Sequence, residues 1–291
     1  MAIGLLISAN GLTAAIDSIA KHLSDGLPSV QIVWGYYVGI SVSLLVCATL
    51  RSLPWRDVVT TSRLPAQLTR STMLAFTLVT LFVGIAHLPI ADVVAITFMA
   101  PLFITLLAVP MLGETFRLYR FGAVAAGLLG VFIIVRPGFV SLHWAVSMPI
   151  ISAAFWALFQ ILTRRLASTE STATTLFYTT LGGVFWASIA VLFVWRPMSV
   201  TDVLFLSGAG VLGAAAHYLL TRAFAQAEAS LLATFNYVKL VWVAILGFVV
   251  FGEQPSTYTL LGSLVIVMSG VFVFIRQRQL ATVETQPREE S

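Results

Sequence analysis

Charge is what this chain has least of. Asp, Glu, Lys and Arg make up 10% of its 291 residues, where soluble domains carry about 25%. Hydrophobic residues make up 59% and the mean hydropathy is +0.97, so polar side chains are too few to coat a water-facing globule. Cysteine is nearly missing as well. The single Cys47 excludes an intrachain disulfide and a cysteine-based metal site. His22, His87, His143 and His217 are scattered, and there is no H-E-x-x-H pair, G-x-S-x-G elbow or Walker-type phosphate loop. An enzyme, a metal centre or any other cofactor is therefore not expected. No separable signal peptide is read either, because the first 16 residues are apolar with no basic region.

What the chain does have is long uncharged runs. A helix needs about 20 mostly apolar residues to cross a bilayer core. Runs of that kind lie near 2–22, 28–50, 71–89, 91–112, 118–136, 144–163, 171–195, 203–222, 229–252 and 256–275. They are too long for strands and lack period-two alternation, and lipid permits only helices or closed barrels. The expected fold class is thus an all-α polytopic membrane protein with ten transmembrane helices. Basic residues orient it. With the N-terminus inside, twelve arginines, from Arg51, Arg56, Arg63 and Arg70 to Arg276, Arg278 and Arg288, fall on the inner side. Only Lys21, Arg136 and Arg196 fall outside. Both termini are expected in the cytoplasm, with the basic 51–70 stretch a topology anchor rather than a nucleic-acid site. The polar residues after Arg276, 277–291, are expected to form a disordered tail.

The two halves echo each other. Gly113-Glu114 closes the fourth run and Gly252-Glu253 the ninth. Gly130-Val-Phe-Ile-Ile-Val-Arg136 and Gly270-Val-Phe-Val-Phe-Ile-Arg276 follow at matching places, and Ala20-Lys21-His22-Leu23 echoes Thr163-Arg164-Arg165-Leu166. Five spans is an odd number, so a second copy enters the membrane from the opposite face. The expected domains are a five-helix repeat over 1–138 and an inverted one over 139–276, an arrangement recurrent in secondary transporters with substrate held near the midplane.

These residues give the chain a recognisable look. Two five-helix repeats, each ending its fourth helix in Gly-Glu and its fifth in Gly-Val-Phe-x-x-x-Arg, resemble EamA-type members of the drug/metabolite transporter superfamily over about residues 2–276. Ala-Pro-Leu at 100–102 and Asn236-Tyr237-Val238 before Lys239 are most similar to bacterial amino-acid exporters, including the aromatic amino acid exporter. The resemblance implies a ten-helix basket in the bacterial inner membrane, working by alternating access and exporting aromatic and other neutral amino acids. Uptake or exchange of S-adenosylmethionine or a nucleoside is the alternative, and a channel or structural subunit a distant one. A monomer is expected. One departure stands out: Leu240 occupies the place where the first repeat has Pro101.

Residues three or four apart share a helix face. Such stripes run through Asn10, Thr13, Asp17 and Lys21; through Thr77, Thr80, Gly84 and His87; and through Thr97, Pro101 and Thr105. The second half offers Trp156, Gln160 and Thr163; then Gly210, Gly213, His217 and Thr221; then Asn236 and Lys239. Equivalent helices carry polar faces in both halves, as a shared chamber requires. Lys239 lies deep in an uncharged run, where a cation needs a wet cavity or a partner. It is read as a chamber cation or as a structural partner of Asp17, which in turn has the local alternative of Lys21. A zwitterion needs a cation for its carboxylate and acceptors for its ammonium. Lys239 and Asn236 supply the first, Asp17 and Gln160 the second, and Phe98, Trp156 and Tyr237 offer aromatic walls. His217, with an ordinary pKa of about 6.5, is a candidate proton carrier or a core histidine. Pro101 is expected to kink its helix. Glu114 and Glu253 sit at helix C-termini, where the macrodipole disfavours carboxylates, and are read as structural or gate residues pairing with a base or capping a neighbouring helix. Gly35-x-x-x-Gly39 is read as intramolecular packing.

Overall fold

The computed structural model of the protein describes residues 2–50, 58–100, 103–104, 106–107, 111, 118–135, 143–166, 169–224 and 238–285. Ten α-helices stand among them, one on each of the ten uncharged runs: α1 (Ala2–Leu23), α2 (Ser29–Leu50), α3 (Leu64–His87), α4 (Ile90–Thr97), α5 (Leu118–Val135), α6 (Ser147–Leu166), α7 (Thr172–Val191), α8 (Val200–Phe224), α9 (Val238–Phe251) and α10 (Thr257–Thr285). A single 3₁₀ turn, Trp144–Val146, leads into α6. Five segments are long and apolar enough to span a membrane: Ser29–Cys47, Leu64–His87, Trp144–Thr163, Thr174–Val191 and Val200–Leu220. The proposed hinge Pro101, the carboxylate Glu114, and Asn236 and Tyr237 lie outside the described residues.

Local chemistry sets the helix ends. Ser171 caps α7 by accepting from the Thr174 amide at 3.0 Å, and Ser256 caps α10 through the Thr259 amide at 3.1 Å. At the head of α8, Ser199 Oγ accepts from the Asp202 amide while Asp202 Oδ2 accepts from the Ser199 amide, a reciprocal box that satisfies two otherwise orphaned donors. Two expectations about ends need correction. First, α3 begins at Leu64, with Pro65 in its first turn, so Arg70 is a helical residue and not part of a basic loop. Second, α10 continues to Thr285, so residues 277–285 are helical rather than an unstructured tail. Good helix formers (Gln, Arg, Leu, Ala) carry the backbone onward, and Arg276 donates to Gln279 Oε1 one turn ahead at 3.2 Å.

The helices interleave rather than forming two separate halves. α1 packs along α8 and α9, α3 along α6 and α7, α2 between α7 and α8, and α5 along α10. The larger apolar core joins α1, α2, α3, α4, α7, α8 and α9, with Ala14, Val33, Ile85, Ile90, Val93 and Val243 fully buried. A second core joins α4, α5, α6 and α10 around Ile96, Met99, Ala153 and Ile266.

Glycine makes two of these seams possible. Gly35 and Gly39 both face α8, where a side chain would strike Leu206 and Gly210, so this pair serves packing within the chain. At the α2–α8 crossing, backbone lies on backbone: a methyl group on Gly210 would overlap the Gly39 Cα and carbonyl carbon. Backbone cannot swing aside as a side chain tip can. Gly210→Ala is therefore expected to lower stability by about 1–3 kcal/mol or more, the range for overpacked interiors. Gly208→Ala, with open space about it, is expected to leave the unfolding midpoint in detergent nearly unchanged. Equal midpoints for the two variants would contradict this packing.

Candidate functional site

One end of the bundle is tied by a compact polar knot. Leu88 and Pro89 form the joint between α3 and α4, which leaves the Leu88 carbonyl and the Ile90 amide without helical partners. Lys21, in the last turn of α1, donates to that carbonyl at 3.0 Å. Glu253 accepts from the Ile90 amide at 3.1 Å, and the two side chains form an ion pair with each other. The Lys21 ammonium also stands 5.5 Å from the centre of the Phe251 ring. Gly252 makes the knot reachable. Its φ of 68°, a conformation glycine adopts without steric penalty, folds the chain back after α9, and the Gly252 and Glu253 amides cap the Phe248 and Gly247 carbonyls at 3.0 Å. The carboxylate is thus placed at the N-terminus of α4, where the macrodipole favours it, and away from the end of its own helix. Lys21 chooses Glu253, so the local Asp17–Lys21 alternative does not form. Beside the knot, a cavity of about 190 Å³ lies between α4, α9 and α10, lined by Asp92, Gly247, Glu253, Ser256 and Thr259 among others. Asp92 Oδ1 there accepts from Thr259 Oγ1 at 2.6 Å.

Deeper in the bundle, Lys239 and Asp17 meet. Lys239 Nζ lies 2.8 Å from Asp17 Oδ2, bridging the first turn of α9 to the fifth turn of α1, and the Asp17 side chain is 5% exposed against 22% for Lys239. Of the sequence-derived candidates, these two are brought into direct contact. Asn10 shares the Asp17 face of α1, is buried, and its Nδ2 has no protein partner among the described residues. Trp242 follows Lys239 by one turn of α9. Its ring lies flush on α1, since a Cβ at Gly11 would meet it at 3.3 Å, and its Nε1 is buried without a protein partner. Nothing in the sequence singled Trp242 out among the chain's seven tryptophans.

The other candidates are placed less centrally. Thr80 turns its hydroxyl back on its own helix, donating to the Phe76 carbonyl at 2.7 Å. Phe98 packs against both apolar cores. Trp156 lies beside Phe159, ring centres 5.2 Å apart, while Gln160 is exposed and His217 half-buried on α8.

A second buried cation was not read as such from the sequence. Arg70 is 2% exposed. Its guanidinium fork donates to Thr163 Oγ1 at 3.2 Å, to the Thr175 carbonyl at 2.6 Å and to Thr179 Oγ1, and it sits 5.0 Å from the Phe159 ring centre. One planar cation thereby joins α3 to α6 and α7, a task for which the arginine fork is suited and a lysine is not.

Comparison with known proteins extends the picture. The sequence profile of the EamA-like transporter family matches residues 1–136 and 143–275. A riboflavin transporter of Rhizobium johnstonii is 33% identical over 227 residues, covering 76% of this chain and 70% of that one. An S-adenosylmethionine uptake transporter of Rickettsia bellii is 24% identical over 267 residues, 92% and 91% of the two chains. A pseudopaline exporter of Pseudomonas aeruginosa is 27% identical over 274 residues, 91% and 93%. With both halves matched by one profile and full-length transporters as relatives, the chain belongs to the EamA-like transporter family of multi-pass membrane proteins.

Proposed function

We propose that this protein is a secondary transporter that moves a small metabolite combining a polar or charged head with an aromatic ring, by alternating access across the bacterial inner membrane. The Asp17–Lys239 ion pair carries the reading. Two opposite charges held within a lipid-embedded bundle are costly unless they are wet or paired, and in a carrier they have a second use. An incoming zwitterion offers a carboxylate to Lys239 and an ammonium to Asp17, so substrate exchanges one ion pair for two. Aromatic amino acids are the smallest molecules of this description, and their export is the sequence-based expectation. S-adenosylmethionine, with an amino-acid head and an adenine ring, fits the same chemistry, and riboflavin fits its aromatic part. The relatives' names favour these larger ring systems over simple amino acids.

The architecture proposed with this function is a pair of inverted five-helix repeats in a single, monomeric chain with both termini cytoplasmic. Its support is the packing pattern. Exchanging each helix for the one five places on turns the α1–α8 contact into α6–α3 and the α2–α8 contact into α7–α3, while α5–α10, α2–α7 and α4–α9 map onto themselves. In this reading the Lys21–Glu253 knot closes the outer end.

Counterflow in proteoliposomes tests the function. Vesicles loaded with excess unlabelled compound are given trace labelled phenylalanine, leucine, S-adenosylmethionine, adenosine or riboflavin. Transient accumulation above the equilibrium level is expected for at least one ring-bearing compound. No accumulation of any of the five, or of leucine alone, overturns the proposed substrate class.

A further inference from the structure

We infer that Trp242 and Asn10 form a substrate-contact corner that selects planar heteroaromatic rings bearing carbonyl or ring-nitrogen acceptors. This rests on the transport reading above and narrows its substrate class. Buried indole N–H groups ordinarily find an acceptor, and so do buried side-chain amides. Here two such donors, Trp242 Nε1 and Asn10 Nδ2, are buried with no protein acceptor among the described residues. They are not scattered. Trp242 lies one turn beyond Lys239 on α9, and Asn10 lies two turns before Asp17 on α1, so both flank the ion pair on the faces that carry it. Gly11, beside Asn10, clears the space in which the indole rests flat on the α1 backbone, its Cβ position being 3.3 Å from the ring. The ring is thereby fixed in direction, with its N–H held ready rather than free to rotate toward solvent.

A ligand that completes this corner stacks on the indole and accepts hydrogen bonds at its ring edge. Purines, pteridines and flavins do both. A phenyl ring stacks but has no edge acceptor, and an aliphatic side chain does neither. The corner therefore discriminates within the proposed substrate class by leaving two donors unmet when the wrong ring enters, the asymmetry through which sites built for polar rings reject apolar ones.

Trp242→Phe keeps an aromatic face and removes the donor, and Asn10→Ala removes the other donor from the opposite helix. Counterflow kinetics are measured for labelled riboflavin, adenosine and phenylalanine, with unfolding midpoints in detergent confirming that each variant is folded. The expected result is a KM for the heteroaromatic compound raised about tenfold by either substitution, a maximal rate within about twofold, and unchanged kinetics for phenylalanine. A merely structural role would move all substrates together. Equal losses for all three compounds, or an unchanged KM for the heteroaromatic compound in both variants, overturn the inference while leaving the transport reading in place. If the wild-type protein exchanges none of the five compounds of the counterflow panel, the transport reading falls and this inference with it.

Discussion

Lys239→Met is expected to reduce counterflow by about two to three and a half orders of magnitude, because removing one partner of a buried ion pair costs about 3–5 kcal/mol and each 1.4 kcal/mol is a factor of ten. Two losses combine in that number. Substrate forfeits its cation, and Asp17, 5% exposed on its side chain, is left buried without its counter-ion. The second loss also lowers the unfolding midpoint, so the single variant alone does not separate binding from folding. The double variant Asp17→Asn/Lys239→Met does. With neither charge present, the midpoint is expected to return toward that of the wild type, since replacing both members of a buried pair is often neutral. Transport is expected to stay lost. A double variant that exchanges substrate normally would make the pair a structural tie between α1 and α9 and remove it from the site.

The second large effect concerns the Lys21–Glu253 knot. The knot joins α1, the α3–α4 joint and the end of α9 at one point, and in the proposed alternating access opening of that end is expected to require breaking the ion pair. Lys21→Cys/Glu253→Cys, made on a Cys47→Ser background so that no other thiol is present, is expected to lose all exchange on oxidation and to recover it on reduction. Retained exchange in the oxidised protein, with cross-linking verified by mass spectrometry, would show that this end does not need to open.

Much of the fold was legible because lipid leaves a chain few options. Uncharged runs of bilayer length located each α-helix among the described residues, Gly35 and Gly39 announced a close seam, and a carboxylate at the end of α9 announced a missing partner. The site was harder, for reasons that can be assigned to particular residues. Asp17 and Lys21 lie four apart on one helix, the spacing of a local ion pair, and sequence left Lys239 and Lys21 as rival partners for Asp17 with no means of choosing, while Glu253, just beyond α9, was not visible as the partner of Lys21. Arg70 stands at the edge of an apolar run, where an arginine counts as a topology signal, and only the earlier start of α3 turns it inward. Trp242 is one apolar letter in a run of them, and its distinction is a bare N–H, which depends on what α1 presents across the seam. Periodicity reports which face a residue occupies. It carries no register between elements distant in the chain.

The seam between α5 and α10 has a consequence for how this protein is made. Gly130 and Gly262 bring the two backbones together, each Cβ position lying within 2.8 Å of the other's carbonyl oxygen, although most of the second half is translated between α5 and α10. The glycine-bearing face of α5 therefore stays unmatched until α10 has been made. A polypeptide truncated before Thr257 is expected to leave that face uncovered.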